Sequence, residues 1–352
     1  IELIYPAWEE RVEVGKLEGP PLSLALIAAL TPPDIEVHAT DERVESVDFD
    51  RDVDLVGITA MTLQAKRAYE ICEEFRKRGI PVVMGGIHPT ILPDEARLHS
   101  DALVIGEAEL VWNQLLGDLK KGNLNPTYKA EELASMEHLP IPRWDLFKKE
   151  AYVLINHIQT SRGCPYNCEF CSGAKIFGPS YRCRPIEEVV EEVRSLTEGK
   201  RGMDRYVSFV DDNIAGNPAY AKKLFKALKP LNVPWWAQAC ITMAEDEELV
   251  KLAAESGCFS ILLGIESILQ ENLKSINKNP RQKVEKYAEW IDVFHRHGIV
   301  VWGSFIFGLD HDTKDTFKKT VDFAIENNIE LMTTFYYTCL LYTSPSPRDR
   351  TR

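Results

Sequence analysis

Short apolar runs alternate with stretches of helical periodicity along nearly the whole chain, and that alternation leaves few architectures open. In the first third, residues 1–5, 35–39, 55–60, 82–84 and 102–105 read as strands, with Leu22–Leu30 and 69–78 as helices between them. Strands separated by helices argue an α/β class with a parallel, doubly wound sheet. The pattern fades between residues 116 and 150 into polar, proline-punctuated sequence, then resumes. Runs at 153–159, 206–210, 235–241, 260–265, Val300–Phe307 and 330–337 read as six more strands. Helices are expected from Pro185, over Pro218–Leu228, and over 246–256, 281–297 and 313–327. The first of these puts Ile186, Val189, Val190, Val193 and Leu196 on one face. Repeated right-handed β-α units curl into a barrel or part-barrel. A chain of 352 residues is also long for one core. The expected organisation is a doubly wound (Rossmann or flavodoxin-like) domain over 1–122, a linker over 123–150, and a partial (β/α)6 TIM-type barrel over 151–340.

Directly after the first strand of the second set comes Ser161-Arg162-Gly163-Cys164-Pro165-Tyr166-Asn167-Cys168-Glu169-Phe170-Cys171. Three thiols in one short loop can serve one inorganic centre, and thiolates are soft ligands suited to iron–sulfur clusters or zinc. The next cysteine, Cys183, lies beyond Gly178-Pro179, so a four-iron cube held here keeps one iron without a protein ligand. An open coordination position is the mark of a catalytic metal, whereas an electron carrier uses full ligation by four thiolates. A structural zinc loop, or buried thiols that bind nothing, are the other readings of the spacing. Polar groups recur where the later strands of the second set end: Asp211-Asp212-Asn213, Gln238, Gly264-Ile265-Glu266-Ser267 and Gly303-Ser304. In β/α barrels function gathers at those ends, although each polar group alone could cap a helix.

A net charge of −13 argues against a surface that neutralises nucleic-acid phosphates. The apolar runs are too short to span a bilayer. Of eight cysteines three are clustered, and Cys72, Cys183, Cys240, Cys258 and Cys339 are scattered, which is not a disulfide framework. A cytoplasmic location is expected. The chain opens on Ile1 inside a strand and reads as a fragment, and residues 341–352 read as a non-native tail.

The C-x3-C-x2-C loop, with Arg162-Gly163 before its first cysteine and Phe170 before its last, resembles the radical S-adenosylmethionine (SAM) superfamily. The resemblance implies a [4Fe-4S] cluster on Cys164, Cys168 and Cys171, its open iron chelated by SAM. An electron from a donor such as flavodoxin or ferredoxin would cleave SAM to a 5′-deoxyadenosyl radical, which takes hydrogen from a small-molecule substrate. It also implies Phe170 near adenine, Gln238 and Glu266 toward ribose or the methionine amine, Ser304 on the adenosyl face, and Asp211 or Asp212 beside SAM or substrate.

The first domain resembles the cobalamin-binding type that precedes one large class of these enzymes, with Gly85-Gly86 after its fourth strand as candidate cofactor-binding residues. The signature D-x-H-x-x-G of that type is here Asp41-Glu42-Arg43-Val44-Glu45-Ser46, without His or Gly, and His38 and His88 lie outside the register. Cobalamin bound without a protein lower ligand would favour methyl transfer. A domain that has lost it would leave cyclisation, rearrangement or other C–H chemistry. Methylthiotransferases, whose first domain carries three more cluster cysteines, do not match, since Cys72 is the only cysteine before the loop.

Overall fold

The computed structural model describes residues 1–8, 16–177 and 180–337, the side chains of Ala174 and Lys175 excepted. Cys339, Gly178-Pro179 and the stretch expected to be a non-native tail lie outside the described residues. The chain divides into two compact units, Ile1–Ile155 and from Asn156 onward.

The first unit carries strands β1 (Glu2–Tyr5), β2 (His38–Asp41), β3 (Val56–Thr59), β4 (Val82–Gly85), β5 (Ala102–Ile105) and β6 (Thr127–Lys129). Its helices are α1 (Leu22–Leu30), α2 (Ala65–Lys77), α3 (Ile87–Ile91), α4 (Pro93–Ala96) and α5 (Trp112–Lys120). All strand pairs are parallel, in the order β2-β1-β3-β4-β5-β6. One core packs Ile4, Val56, Ile58, Val82, Met84 and Leu103 of the sheet against Ala68, Ile71 and Phe75, spaced three and four apart on α2. The order reverses at β1, which lies between β2 and β3, so the crevice at the carboxyl ends there is the expected ligand edge of such a sheet.

The sixth strand falls inside the stretch expected to be a linker, and the unit runs on to Ile155. Only Tyr128 of β6 is fully buried, and three residues at a sheet edge are too few to show an alternating pattern.

The second unit carries β7 (His157–Ile158), β8 (Ser161–Arg162), β9 (Arg182–Cys183), β10 (Val207–Phe209), β11 (Trp235–Cys240), β12 (Cys258–Glu266), β13 (Val300–Phe307) and β14 (Leu331–Tyr336). Between them run α6 (Gly173–Ile176), α7 (Ile186–Thr197), α8 (Pro218–Leu228), α9 (Glu247–Glu255), α10 (Gln270–Ser275), α11 (Tyr287–Arg296) and α12 (Lys314–Glu326). The parallel sheet has the order β14-β13-β12-β11-β10-β7, every strand beside its neighbour in the series. Winding in one direction is how a barrel is built. Asn217 and Asp246 cap α8 and α9 through their side chains, 3.2 Å from the backbone N–H of Tyr220 and Leu249. Val189 and Val193 are buried as the periodicity of α7 requires, and Trp235 fills the same core, stacked on Phe225 with 5.2 Å between centroids.

Along β11, Trp235, Ala237 and Ala239 face the helices; along β12, Ile261, Leu263 and Ile265 do the same. The period of two therefore turns Gln238, Cys240, Leu262 and Gly264 to the other face. Register keeps that face continuous, with Gln238 beside Leu262, Cys240 beside Gly264, and Gly264 beside Ser304.

Candidate active site

The cysteine loop leaves β8 and returns through β9, and the two close its neck as an antiparallel pair, Ser161 opposite Cys183. Asp211, at the end of β10, fixes that neck. It accepts hydrogen bonds from the Thr160 amide at 3.1 Å, from the Thr160 hydroxyl at 2.8 Å and from the Ser161 hydroxyl. It is fully buried, and burial pushes its carboxyl up to about 6 against the pull of those donors. The expectation that Asp211 binds SAM or substrate is therefore corrected: both its oxygens are taken by the neck, and it does not line the cavity. Its neighbour Asp212 does.

That cavity has a volume of about 420 Å³ and opens at the carboxyl ends of β10 to β13. The size is within the usual range for small-molecule sites, about 300–1,000 Å³. Cys164, Cys168 and Cys171 all line it, with Phe170, Gln238, Glu266 and Ser304. The residues singled out from three separate strand ends thus share one space, as the period of two demands. Burial raises the Cys164 thiol, and hydrogen bonds from the Tyr166 backbone and the Asn213 side chain pull it back down. Burial pushes Cys168 up to about 11, with Lys278 the strongest group acting the other way. A Cβ added at Gly173 would sit 3.5 Å from the Cys171 sulfur, so the backbone passes close by it.

Among the described residues no three His, Cys, Asp or Glu side chains are gathered closely enough for a metal ion. Three thiols lining one cavity are the soft ligand type that suits an iron–sulfur cluster.

A fourth thiol, that of Cys240, lines the same cavity. It lies within hydrogen-bond reach of Gln282 Oε1 at 3.4 Å, the Thr242 hydroxyl at 3.3 Å and Asn279 Nδ2 at 3.6 Å. It stands on β11, away from the loop that carries the other three thiols.

Glu266 and the side chain that sequence reasoning missed, Lys278, form an ion pair of 2.6 Å inside the cavity wall, with side chains 7% and 9% exposed. Burial works against the Lys278 charge, but Glu266, Cys240 and Cys168 outweigh it and raise its pKa. Glu266 stands in the left-handed region at φ 64°, where the register of β12 against β13 shifts. The glycine before it makes room, because a Cβ at Gly264 would lie 2.6 Å from Glu266 Oε1 and 2.9 Å from Lys278 Nζ. No spacing or periodicity marks Lys278 in the sequence, since it stands in an irregular turn after α10.

In the first unit, Gly86 at φ 94° is needed for packing: its Cβ would lie 2.6 Å from the Thr59 hydroxyl and 3.0 Å from the Ala60 nitrogen. Gly85 closes β4 beside it. Arg43 stands where the signature has its lower-ligand histidine. It pairs with Asp41 at 2.6 and 2.8 Å, donates to the Gly19 carbonyl at 3.1 Å and lies over the Tyr5 ring. His38 pairs with Glu36, and His88 is buried with its Nε2 2.6 Å from the Tyr69 hydroxyl. None of these supplies an imidazole from that position. At the ligand edge the Thr62 hydroxyl, just past β3, is buried without a partner. A cobalamin held there would take no histidine from this motif, since Arg43 occupies its place.

The Radical SAM superfamily profile matches residues 158–324, and that of the B12 binding domain matches residues 11–116. The bacteriochlorophyllide d C-12(1)-methyltransferase of Chlorobaculum tepidum is 35% identical over 317 residues, 88% of this chain and 69% of that protein. The chain belongs to the radical SAM superfamily. It is a radical SAM enzyme with a B12-binding domain ahead of its barrel, and the cofactors of the superfamily are the [4Fe-4S] cluster and SAM. The bacteriochlorophyllide d C-8(2)-methyltransferase of the same organism is 31% identical, covering 88% of this chain and 71% of that protein. Among solved structures, the radical S-adenosylmethionine methyltransferase TsrM from Kitasatospora setae, with cobalamin and a [4Fe-4S] cluster bound, shares the fold. Its TM-score is 0.76 over 95% of this radical SAM chain and 71% of its own, at 19% identity. No helix among the described residues is long and apolar enough to cross a membrane.

Proposed function

We propose that this radical SAM enzyme is a cobalamin-dependent methyltransferase, in which Cys164, Cys168 and Cys171 hold the cluster and the cavity wall holds SAM. The observation that carries the cluster site is the meeting of three thiols, Gln238, Glu266 and Ser304 in one cavity at the carboxyl ends of the barrel strands. When bound, the cluster with SAM supplies a 5′-deoxyadenosyl radical, and cobalamin supplies a transferable methyl group. The protein's own work is placement. Asp211 fixes the neck of the cysteine loop, Phe170 packs beside Ile276, Ile306 and Leu309, and the polar side chains at the ends of β11 to β13 orient the cofactor. Methyl transfer is favoured over a cobalamin-free reaction by the B12-binding profile and by the two methyltransferase relatives. A one-electron donor of the flavodoxin or ferredoxin kind is the expected partner, and a reducing cytoplasm suits an oxygen-sensitive cluster.

The test is anaerobic incubation of the reconstituted protein with hydroxocobalamin, then with SAM and titanium(III) citrate. Cobalamin co-eluting on gel filtration, with both 5′-deoxyadenosine and S-adenosylhomocysteine formed, is the expected result. Formation of 5′-deoxyadenosine alone, with no cobalamin retained, would favour ring formation or rearrangement instead.

A further inference from the structure

The turn after α10 grips the cysteine loop with three consecutive residues, and the fourth, Asn279, ties the turn to Thr242. The Ile276 carbonyl accepts from the Glu169 amide at 2.9 Å, and Asn277, left-handed at φ 49°, donates from Nδ2 to the Asn167 carbonyl at 2.9 Å. Lys278 places its ammonium 5.6 Å from the centre of the Phe170 ring and 2.6 Å from Glu266. Asn279 donates to the Thr242 hydroxyl at 3.1 Å. One backbone and one side-chain hydrogen bond thus hold the loop between Cys164 and Cys171, and a buried ammonium faces the Phe170 ring beside Cys171.

A charge fixed in a nearly dry wall is screened far less than one in water. Net charge around a cluster is one of the terms that set its potential. Reduction brings one electron from the external donor and adds one negative charge to the cluster. A neighbouring cation stabilises that state, and an anion opposes it.

We propose that Lys278 is a positioning residue for the cluster, held over the cysteine loop by Glu266 so that its positive charge raises the reduction potential. This rests on the cluster assignment above. Glu266 then has two tasks: it faces the cavity and it keeps the cation in place.

The experiment is an EPR-monitored redox titration of reconstituted wild type, K278Q, K278R, E266Q and the double variant E266Q/K278Q, with iron counted per chain. A wild type that binds no cluster defeats the cluster assignment itself. With iron retained, K278Q is expected to titrate at a more negative potential than wild type and E266Q at a more positive one. K278R is expected to stay near wild type, and the double variant to fall between K278Q and E266Q. Shifts of the same sign in K278Q and E266Q, or no shift in either, overturn the proposal. Should K278Q lose its iron, K278M is titrated in its place: a potential below wild type supports the proposal, and one equal or higher overturns it. Loss of iron from all the variants overturns it too, since the pair would then act only on structure.

Discussion

Asp211 shows how a residue can be singled out correctly and given the wrong task. Its place beside Asp212 at a strand end drew attention, but a sequence does not say which of two adjacent carboxylates turns inward, and alternation gives the cavity to Asp212. The consequence is measurable. Asp211 has a folded-state value of about 6 against an ordinary 3.8. Between about pH 4 and pH 6 the native chain therefore binds this proton more tightly than the unfolded one, so its contribution to stability falls as pH rises through that window. At about 1.4 kcal/mol per unit the whole effect is about 3 kcal/mol. Urea unfolding of wild type and D211N across this range should show the wild type losing ground to D211N as pH rises. A constant difference would mean that Asp211 does not titrate there. The three loop cysteines, by contrast, form a local pattern, three thiols within eight residues that stand out without a fold, and all three line the cavity. Lys278 was not legible, because its meaning depends on Glu266 twelve residues earlier and on a loop more than a hundred residues away.

Among the elements, the central strands were readable and the edges were not. Val300–Phe307 was expected and is found, a long apolar run interrupted only by Gly303-Ser304. The run expected at 153–159 shrinks to His157–Ile158, with the Asn156 side chain just before it bonded to the Asp204 and Tyr206 carbonyls at 2.8 and 3.0 Å. The short β6, and the β8–β9 pair around the cysteine loop, carry too few residues for any period to show. Strand β12 carries the sharpest constraint, because Gly264 must leave room for the Glu266–Lys278 pair before the strand bends. G264A should cost about 1–3 kcal/mol, the usual range for overpacking, read from urea denaturation. An unchanged midpoint would mean that the pair moves aside freely.

Across the whole molecule, two parallel sheets of different winding came from one kind of sequence signal. Alternation of strands and helices announces both. The reversal at β1 in the first unit and the steady progression from β7 to β14 in the second emerge only from the pairing. The cofactor chemistry was legible in the second unit through its cysteines and is less so in the first, where Arg43 stands in place of the signature's histidine and is tied to Asp41. The central claim concerns the second unit: three protein sulfurs, one free corner, and SAM to fill it. It is tested most directly by EPR of the anaerobically reconstituted, reduced protein before and after SAM is added. One four-iron cluster per chain whose spectrum changes with SAM is the expected result, and bound zinc, or a cluster indifferent to SAM, would contradict the account.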